Sequence, residues 1–286
     1  MKVLVTGGSG YLGSHIRRFF EADDLSRRSG FDVLDIYDTT LVSEYDMVIH
    51  LAALLDKDPK VHENVFRTNV EGTINVARAM KKDAVLVFAS TKDVYGRFAD
   101  NYSEVPETCQ TLYSGQSALE WSKLIAEHYV EYYAHINNFR SCIFRLSTVY
   151  APLTAGNQPN FVGHFADAIN KGEPISLPGG GRPRRDLLYV EDLARACSAF
   201  ADSAIRHGTY NLGGGSSNAV SLTELITKME AVCGLQAIIA EETPLPDPVP
   251  MNYVSDISLV DFELGWRPKT DIETGIAAIF SHVPSA

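Results

Sequence analysis

The feature that most constrains this chain is a glycine-rich turn near its N-terminus, which joins a short apolar run to an amphipathic segment. The apolar run is Lys2–Val5, the turn is Thr6–Gly13, and the amphipathic segment is His15–Phe20. This order predicts a strand, a tight turn and a helix. Glycines let a backbone approach a pyrophosphate, whose charge is stabilised by the free N–H groups at a helix N-terminus. The pattern favours a dinucleotide site over an ordinary strand-to-helix turn.

Further apolar runs predict a parallel sheet covered by helices. Strands are predicted at Phe31–Ile36, Met47–Leu51, Val85–Phe88 and Ser141–Leu146, and helices at about Glu63–Met80 and Ser117–Ala134. The unbroken run Val85–Phe88 is typical of a parallel strand that is covered on both faces. Between Glu21 and Gly30, where a second strand is expected, the chain is short and polar. The predicted fold is α/β, a Rossmann-like doubly wound parallel sheet.

The second half of the chain differs from the first in the length and composition of its predicted elements. From Asn160 onward the elements are shorter and are broken by Gly and Pro, notably at Pro178–Pro183 and Pro244–Pro250. We therefore predict a Rossmann domain over residues 1–159 and a smaller substrate-binding lobe mainly over residues 160–286. Residues 190–215 are predicted to return to the first domain.

Composition narrows the classes of partner. The chain has 286 residues, of which 45% are hydrophobic, so it can bury a substantial core. A net charge of -11 argues against nucleic acid or an anionic membrane as the main partner. The four cysteines are scattered without metal or redox spacing, which favours buried thiols and no metal site. No leader and no apolar run of roughly 20 residues is present, so we expect a cytoplasmic protein.

Several motifs in a fixed order resemble one known family. The glycine turn together with His50–Ala53 resembles the extended short-chain dehydrogenase/reductases, the group of nucleotide-sugar epimerases and dehydratases. Later segments resemble further motifs of that family: Asn69–Thr73, Ser122–Glu127, Arg184–Ala194, Tyr210–Gly213 and Leu264–Pro268. The resemblance implies NAD or NADP as cofactor and a nucleotide sugar, or a similar polar molecule, as substrate. It also implies a homodimer through the helices that carry Asn69 and Lys123.

The resemblance also implies a set of cofactor-binding residues: Gly7, Gly10, Tyr11, Leu12, Gly13, Arg27, Asp35, Ile36, Leu51, Ala52, Ala53, Asn69 and Lys123. Asp35 and Ile36 correspond to a pair that lies against adenine. Asn69 either lies near the nicotinamide or ties its helix to the next strand. An acidic residue roughly 20 positions after the glycines normally favours NAD, and an arginine there accommodates NADP. That place falls near Arg27, which is either a phosphate contact or part of a solvated turn, so the choice stays open.

The implied catalytic residues match the family only in part. Relatives use a Ser or Thr after the fourth strand and a Tyr one helical turn before a Lys, so that both face one side of the helix. Thr91 and Lys123 match, but Leu119 stands at the tyrosine position and cannot transfer protons. Tyr113, in the rearranged segment 111–117, is a candidate replacement, the alternative being a surface or packing tyrosine. Ser90 and Thr91 can orient a sugar hydroxyl but are poor bases.

Two further positions carry implied substrate roles. Lys92 and Asp93 occupy the places of an acid Asp and a base Glu in sugar-nucleotide 4,6-dehydratases. A buried Lys92 could donate a proton, although a solvated lysine is the commoner case. Arg185 corresponds to an arginine that binds the nucleotide-sugar pyrophosphate, or else pairs locally with Asp186.

Together these features predict an NAD(P)-dependent oxidoreductase of the epimerase/dehydratase type, acting on a nucleotide sugar through a transient keto intermediate. Epimerase or ketoreductase chemistry is favoured over dehydration. The alternative is an NAD(P)-binding homologue without turnover that serves as a regulator or assembly partner, which Leu119 favours.

Overall fold

The structure is a computed structural model that describes residues 1–36, 40–154, 156–246 and 249–281, so the end of the predicted lobe at 282–286 lies outside it. The strands are β1 (Val3–Thr6), β2 (Asp23–Leu25), β3 (Met47–His50), β4 (Val85–Thr91), β5 (Arg140–Leu146), β6 (Thr148–Tyr150), β7 (Pro174–Pro178), β8 (Arg184–Tyr189), β9 (His207–Leu212), β10 (Ala219–Ser221), β11 (Ile238–Thr243) and β12 (Asn252–Tyr253). The helices are α1 (Tyr11–Phe20), α2 (Thr40–Ser43), α3 (His62–Phe66), α4 (Gly72–Ala79), α5 (Ala118–Asn137), α6 (Phe161–Lys171), α7 (Val190–Asp202), α8 (Leu222–Cys233), α9 (Ser258–Leu264) and α10 (Ile272–Phe280).

The main layer is a six-stranded sheet in the order β2-β1-β3-β4-β5-β9, and every pairing in it is parallel. The chain leaves β1 toward β2 on one side, and β3 then returns to the other side of β1. Such a reversal opens a crevice at the carboxyl ends of the strands. The predicted Rossmann-like fold is confirmed, and the glycine turn lies at this crevice.

Alternate side chains of the central strands bury against opposite helical layers. Leu4, Val48 and Leu86 belong to one apolar cluster, and Val5 and Ile49 belong to another on the opposite face. This two-sided burial explains why the central strands are continuously apolar. The helices cover the sheet, and none in the described ranges is long and apolar enough to cross a membrane.

The structure corrects the prediction at the sheet edge. The predicted strand Phe31–Ile36 is wrong, because Val33–Asp35 forms a 3-10 turn in which Asp32 caps the Leu34 N–H at 3.0 Å. Val33 and Ile36 are nevertheless buried. The apolar alternation of this segment therefore reflects the burial of Val33 and Ile36 beneath α4, not a strand. The second strand of the sheet is the short polar β2.

The predicted helix at about Glu63–Met80 is continuous but not regular. A π-helical stretch, Arg67–Glu71, lies between α3 and α4. Asn69 lies in this stretch, accepts the Leu54 N–H at 2.8 Å and donates to Leu54 O at 3.1 Å and to Ser122 Oγ at 2.9 Å. These contacts are structural, but they tie the helix to the segment after β3 and to α5 rather than to the next strand, and a place near the nicotinamide stays a prediction.

The second lobe is organised around β8. This strand pairs with β10 in antiparallel fashion and with β6 and β12 in parallel fashion, and β7 pairs with β11. Asp186 on β8 is fully buried, where its carboxylate accepts the Ser147 hydroxyl and the N–H groups of Gly215 and Ser255. These bonds fix β8 against the carboxyl ends of β5 and β9.

Candidate active site

The glycine turn is packed too tightly for larger residues at two places. Gly7 has φ +71°, and a Cβ there would lie 2.9 Å from the Ala52 backbone nitrogen. A Cβ on Gly13 would lie 2.1 Å from the Gly7 carbonyl oxygen, whereas one on Gly10 would lie 3.1 Å from that oxygen. The turn is therefore pressed between the end of β3 and the first turn of α1.

A carboxylate that the sequence analysis missed lies beside this turn. Asp24, the middle residue of the short strand β2, accepts the hydroxyls of Ser9 and Ser26 through Oδ2. Its Oδ1 is buried without a hydrogen-bond partner among the described residues, 2.6 Å from where a Cβ on Gly8 would lie. An acid at the end of the second strand is the group that holds the adenosine ribose in Rossmann sites. It was missed because β2 is so short that fewer residues than usual separate this acidic residue from the glycines.

The basic turn after β2 holds one arginine near the crevice. Arg27, predicted to contact the cofactor, is exposed. Arg28 instead donates to Ser9 O at 2.9 Å, to Gly156 O at 2.6 Å and to Asn157 Oδ1 at 2.7 Å. Arg28 therefore links the glycine turn to the segment after β6, and a phosphate role for Arg27 stays a prediction.

Other predicted cofactor residues border the same crevice. Tyr11 starts α1, and its hydroxyl donates to Ala151 O at 2.7 Å and accepts the Ala151 N–H at 2.9 Å. Leu12 follows Tyr11 on α1, and Leu51–Ala53 follow β3, all partly buried. Ile36 is buried and Asp35 exposed at the end of the 3-10 turn. The two lobes thus meet at Tyr11, beside the glycine turn.

Buried hydrogen bonds fix the ends of β1 and β3 relative to each other. His50 Nδ1 lies 2.6 Å from Thr6 Oγ1, and His50 Nε2 lies 2.9 Å from Thr73 Oγ1. Because the Thr73 hydroxyl donates to Asn69 O at 2.6 Å, it accepts from His50 Nε2–H, and Nδ1 accepts from Thr6. Burial lowers the pKa of His50 to about 3, so the imidazole stays neutral.

Lys123 lies at the carboxyl end of β4, where the resemblance implies a ribose contact. It is 5% exposed, and its ammonium donates to Ala89 O at 2.8 Å and lies 4.8 Å from the centroid of the Phe88 ring. Burial lowers the pKa of Lys123 to about 8. One helical turn earlier, Leu119 is partly buried and offers no titratable group.

The hydroxyls of Ser90 and Thr91, at the end of β4, form different hydrogen bonds. Ser90 is buried and donates to Glu127, which forms a buried ion pair with Arg145 at 2.7 Å. Thr91 is only partly buried and accepts the Asp93 N–H at 3.1 Å, which leaves its own proton free to donate. Of the two predicted substrate residues, Ser90 has its hydroxyl proton committed to Glu127, whereas the Thr91 hydroxyl is bound among the described residues only as an acceptor.

Tyr113 does not fill the place of the missing tyrosine in this structure. Its side chain is 67% exposed, and its ring stacks on Trp121 with centroids 5.9 Å apart. The packing alternative considered for Tyr113 therefore describes its contacts.

Four charged residues form a chain of ion pairs near the N-terminus of α5, and we call them the charged cluster: Lys57, Lys92, Asp93 and Glu120. Lys57 Nζ lies 2.6 Å from Glu120 Oε1 and 3.7 Å from Asp93 Oδ2, and Lys92 pairs with Asp93. Together with Pro250 these residues line a small pocket of about 20 Å³. The sequence analysis considered Lys92 and Asp93 but missed the other two, whose neighbours in space are distant in sequence.

Arg185 lies behind the same pocket on β8. It is 7% exposed, and its guanidinium donates to the carbonyl oxygens of Arg184 at 2.5 Å, Met251 at 3.1 Å and Pro250 at 2.8 Å. Because the carboxylate of Asp186 is taken by Ser147 and by backbone N–H groups, the considered local pair with Asp186 does not describe these contacts. Burial lowers the pKa of Arg185.

Comparisons with known proteins agree with this geometry. A family model described as the NAD dependent epimerase/dehydratase family matches residues 3–213. The chain is 28% identical to a CDP-paratose 2-epimerase of Salmonella typhi, with 100% of both chains covered. It is also 28% identical to a putative UDP-glucose 4-epimerase of Methanocaldococcus jannaschii, covering 97% of this chain and 96% of the relative.

Solved structures extend the comparison to the fold. MoeE5 in complex with UDP-glucose and NAD is 25% identical and superposes with a TM-score of 0.84, covering 98% of each chain. The UDP-glucose 4-epimerase of Thermotoga maritima has a TM-score of 0.86 at 22% identity, over 99% of this chain and 98% of that one. The latter likeness concerns the fold alone.

The contacts of the glycine turn predict unequal costs for two alanine substitutions. Gly13→Ala should lower the free energy of unfolding by about 2 kcal/mol or more, because its Cβ meets rigid backbone at 2.1 Å. Gly10→Ala, with 3.1 Å to the same oxygen, should cost less than about 1 kcal/mol. Denaturant unfolding of both variants measures the difference. Equal costs would contradict the described packing.

Proposed function

Because the chain belongs to the NAD-dependent epimerase/dehydratase family, we propose that it oxidises and then re-reduces a carbon of a nucleotide sugar with NAD. The observation that carries this proposal is the arrangement at the carboxyl edge of the sheet. Thr91 lies at the end of β4, Lys123 of α5 bonds to Ala89 of that strand, and Arg185 on β8 bonds to Pro250, which lines the neighbouring pocket. Relatives named for UDP- and CDP-linked sugars support a nucleotide sugar as the substrate class.

The residues around the glycine turn suit NAD in two respects. Gly7 and Gly13 allow the turn to pack closely against Ala52 and the first turn of α1, which is the tight strand-to-helix turn that a pyrophosphate site requires. The unpartnered Asp24 Oδ1 offers an acceptor for a ribose hydroxyl, and its charge would repel the additional phosphate of NADP. Of these two features, the Asp24 carboxylate favours NAD over NADP.

The protein residues have separate tasks in this scheme. The bound cofactor supplies the acceptor and the donor of hydride. Lys123 would hold the cofactor ribose, and Thr91 would orient the sugar hydroxyl with its free proton. Arg185 would contact the pyrophosphate of the substrate, since a guanidinium remains charged and can form two aligned bonds to phosphate. Epimerisation through a transient ketone is the favoured reaction.

A second candidate function follows from Leu119. With no tyrosine on the α5 face one turn before Lys123, the chain would be an NAD-binding homologue without turnover, acting as a regulator or assembly partner. A site without catalytic function, however, would not require a buried Lys123, an Arg185 held by hydrogen bonds and a pocket lined by four charged residues.

Hydride transfer separates the two functions directly. The full chain would be mixed with NAD and, in turn, UDP-glucose, UDP-glucuronate, CDP-glucose and dTDP-glucose, while the absorbance of reduced nicotinamide and the sugar products are followed. We expect reduction or epimerised product with at least one nucleotide sugar, and none with free glucose. Binding of NAD and of a nucleotide sugar without any hydride exchange would favour the non-catalytic function.

Two neighbouring aspartates on β2 allow a matched test of the ribose site. Asp24→Asn should weaken NAD binding about 10-fold or more, because a hydrogen bond to a charged acceptor is lost. It should also reduce the discrimination against NADP. Asp23→Asn makes the same charge change at an exposed residue that accepts the Tyr45 hydroxyl, and it should leave both affinities nearly unchanged. Calorimetric titration measures both, and equal effects would contradict the role of Asp24.

We further propose that the protein is a homodimer that pairs through α5. Tyr129, Tyr132 and Ile136 are 39%, 57% and 55% exposed and follow one another at helical spacing, so they form one apolar stripe on α5. Large aromatic residues exposed together are typical of an interface.

Tyr132→Glu should convert the dimer to a monomer, because it places a charge within the apolar stripe. Phe262→Glu is the control, since Phe262 is 88% exposed on α9 and lies outside the stripe. Light scattering of both variants and of the unmodified chain measures the mass. A monomeric unmodified chain, or dissociation by both substitutions, would count against this interface.

A further inference from the structure

We propose that Lys92 is the proton-transferring residue that takes the place of the absent tyrosine. The inference rests on the proposed function, and it assigns to that reaction a residue type different from the family's tyrosine. Lys92 follows Thr91 directly in the chain, at the carboxyl end of β4, and lines the pocket behind which Arg185 lies.

The other titratable groups near the pocket are engaged or unsuitable. Glu120 caps its own helix by accepting the Ser117 N–H at 2.8 Å, and its second oxygen is bound to Lys57. Lys57 is half exposed and is shared between Glu120 and Asp93. Although burial opposes it, the charges of Lys92 and Lys57 lower the pKa of Asp93 to about 2, which makes Asp93 a weak base.

The nearby tyrosines are also poorly placed to transfer a proton at the pocket. Tyr113 is exposed and stacked outside the pocket. Tyr95 is fully buried, donates its hydroxyl to Asn211 at 2.7 Å and accepts from Arg145 at 3.1 Å. Tyr253 is also buried, and its ring lies beneath the Lys92 ammonium. None of these hydroxyls lines the described pocket.

Lys92 is held in a fixed position with its amine at the pocket. Its side chain is 10% exposed, the amine pairs with Asp93, and it lies 4.9 Å from the centroid of the Tyr253 ring. A solvated lysine would sample many rotamers, whereas this one is confined between β4 and β12. A proton-transferring residue must be held in one position relative to the hydroxyl whose proton it takes, and this confinement provides such a position.

The charges around Lys92 make its proton available. Burial lowers the pKa of the Lys92 ammonium, Asp93 raises it, and the cations Arg185 and Lys57 lower it further, so that the net shift is downward. Glu120 faces the same pocket but is neutralised by Lys57. A neutral amine is then accessible at a lower pH than for a solvated lysine.

The step balances as a proton transfer coupled to oxidation of the sugar. The hydroxyl O–H bond breaks, and its proton joins the lone pair of the neutral Lys92 amine to give an ammonium. The oxygen forms a ketone as the C–H bond electrons leave as hydride to NAD, which is thereby reduced. On return, the ammonium gives the proton back to the oxygen while the carbon is reduced.

The decisive variants are Lys92→Arg and Lys92→Gln. Arginine keeps the positive charge beside Asp93 but does not give up a proton, and glutamine keeps the length without either property. Both should slow single-turnover reduction of NAD about 100-fold or more while changing NAD affinity little. Lys82→Arg, at an exposed turn before β4, is the control and should keep the unmodified rate.

The pH dependence gives a readout that a purely structural ion pair would not move. In the unmodified chain, NAD reduction should rise with pH to a plateau as Lys92 loses its proton. Lys92→Arg should remove this rise. Asp93→Asn should shift the rise to lower pH, because it removes the carboxylate that stabilises the ammonium. A Lys92→Arg variant with an unchanged rate and pH profile would overturn the proposal.

A second measurement keeps the assignment separate from the proposed function. In the full chain with NAD, the ¹³Cε signals of labelled lysines are titrated by NMR, and the Lys92 signal is identified by its loss in Lys92→Arg. We expect it to titrate below the range of exposed lysines and to shift on addition of the active nucleotide sugar. An ordinary titration would overturn the role of Lys92. If Lys92 titrates low but no sugar in the panel is oxidised, the proposed function fails, and the catalytic role of Lys92 fails with it.

Discussion

The contact on which the rest of the structure depends is that of the glycine turn with the end of β3. Gly7 lies so close to Ala52 that no side chain fits between them, and Gly13 is packed still more closely against Gly7. Neutral His50 bonds both Thr6 and Thr73, which holds the two strand ends in this position. The crevice for the cofactor, the site of Asp24 and the approach of Tyr11 to the second lobe all follow from this close packing.

Near the place of the phenol that the family pattern contains, the structure has an apolar side chain and a set of ion pairs. Leu119 leaves an apolar side chain where proton transfer is expected, whereas the charged cluster brings two lysines and two carboxylates to the neighbouring pocket. An ion-pair chain of this kind is costly to bury unless each member is paired. Each member is paired, and both Lys92 and Glu120 are buried on the pocket wall. Of these two, Glu120 is engaged as the N-terminal cap of α5.

The sequence predicted the central sheet and the glycine turn well, because continuous apolar runs and glycine spacing report directly on two-sided burial and close backbone approach. It failed at Phe31–Ile36, where the same alternation arises from a buried 3-10 turn. Asp24 was not predicted as a site residue, because the three-residue strand β2 shortens the usual spacing between the glycines and the acidic residue. Lys57 and Glu120 belong to separate segments, and only the folded chain brings them together.

The most direct test of the account is a crystal structure of the full chain with NAD and the nucleotide sugar it oxidises. The account predicts Asp24 within hydrogen-bond distance of the adenosine ribose. It also predicts Lys92 Nζ within about 3.2 Å of the hydroxyl on the sugar carbon that faces the nicotinamide. A complex in which that hydroxyl faces only Leu119, with Lys92 still enclosed by Asp93 and Tyr253, would contradict it.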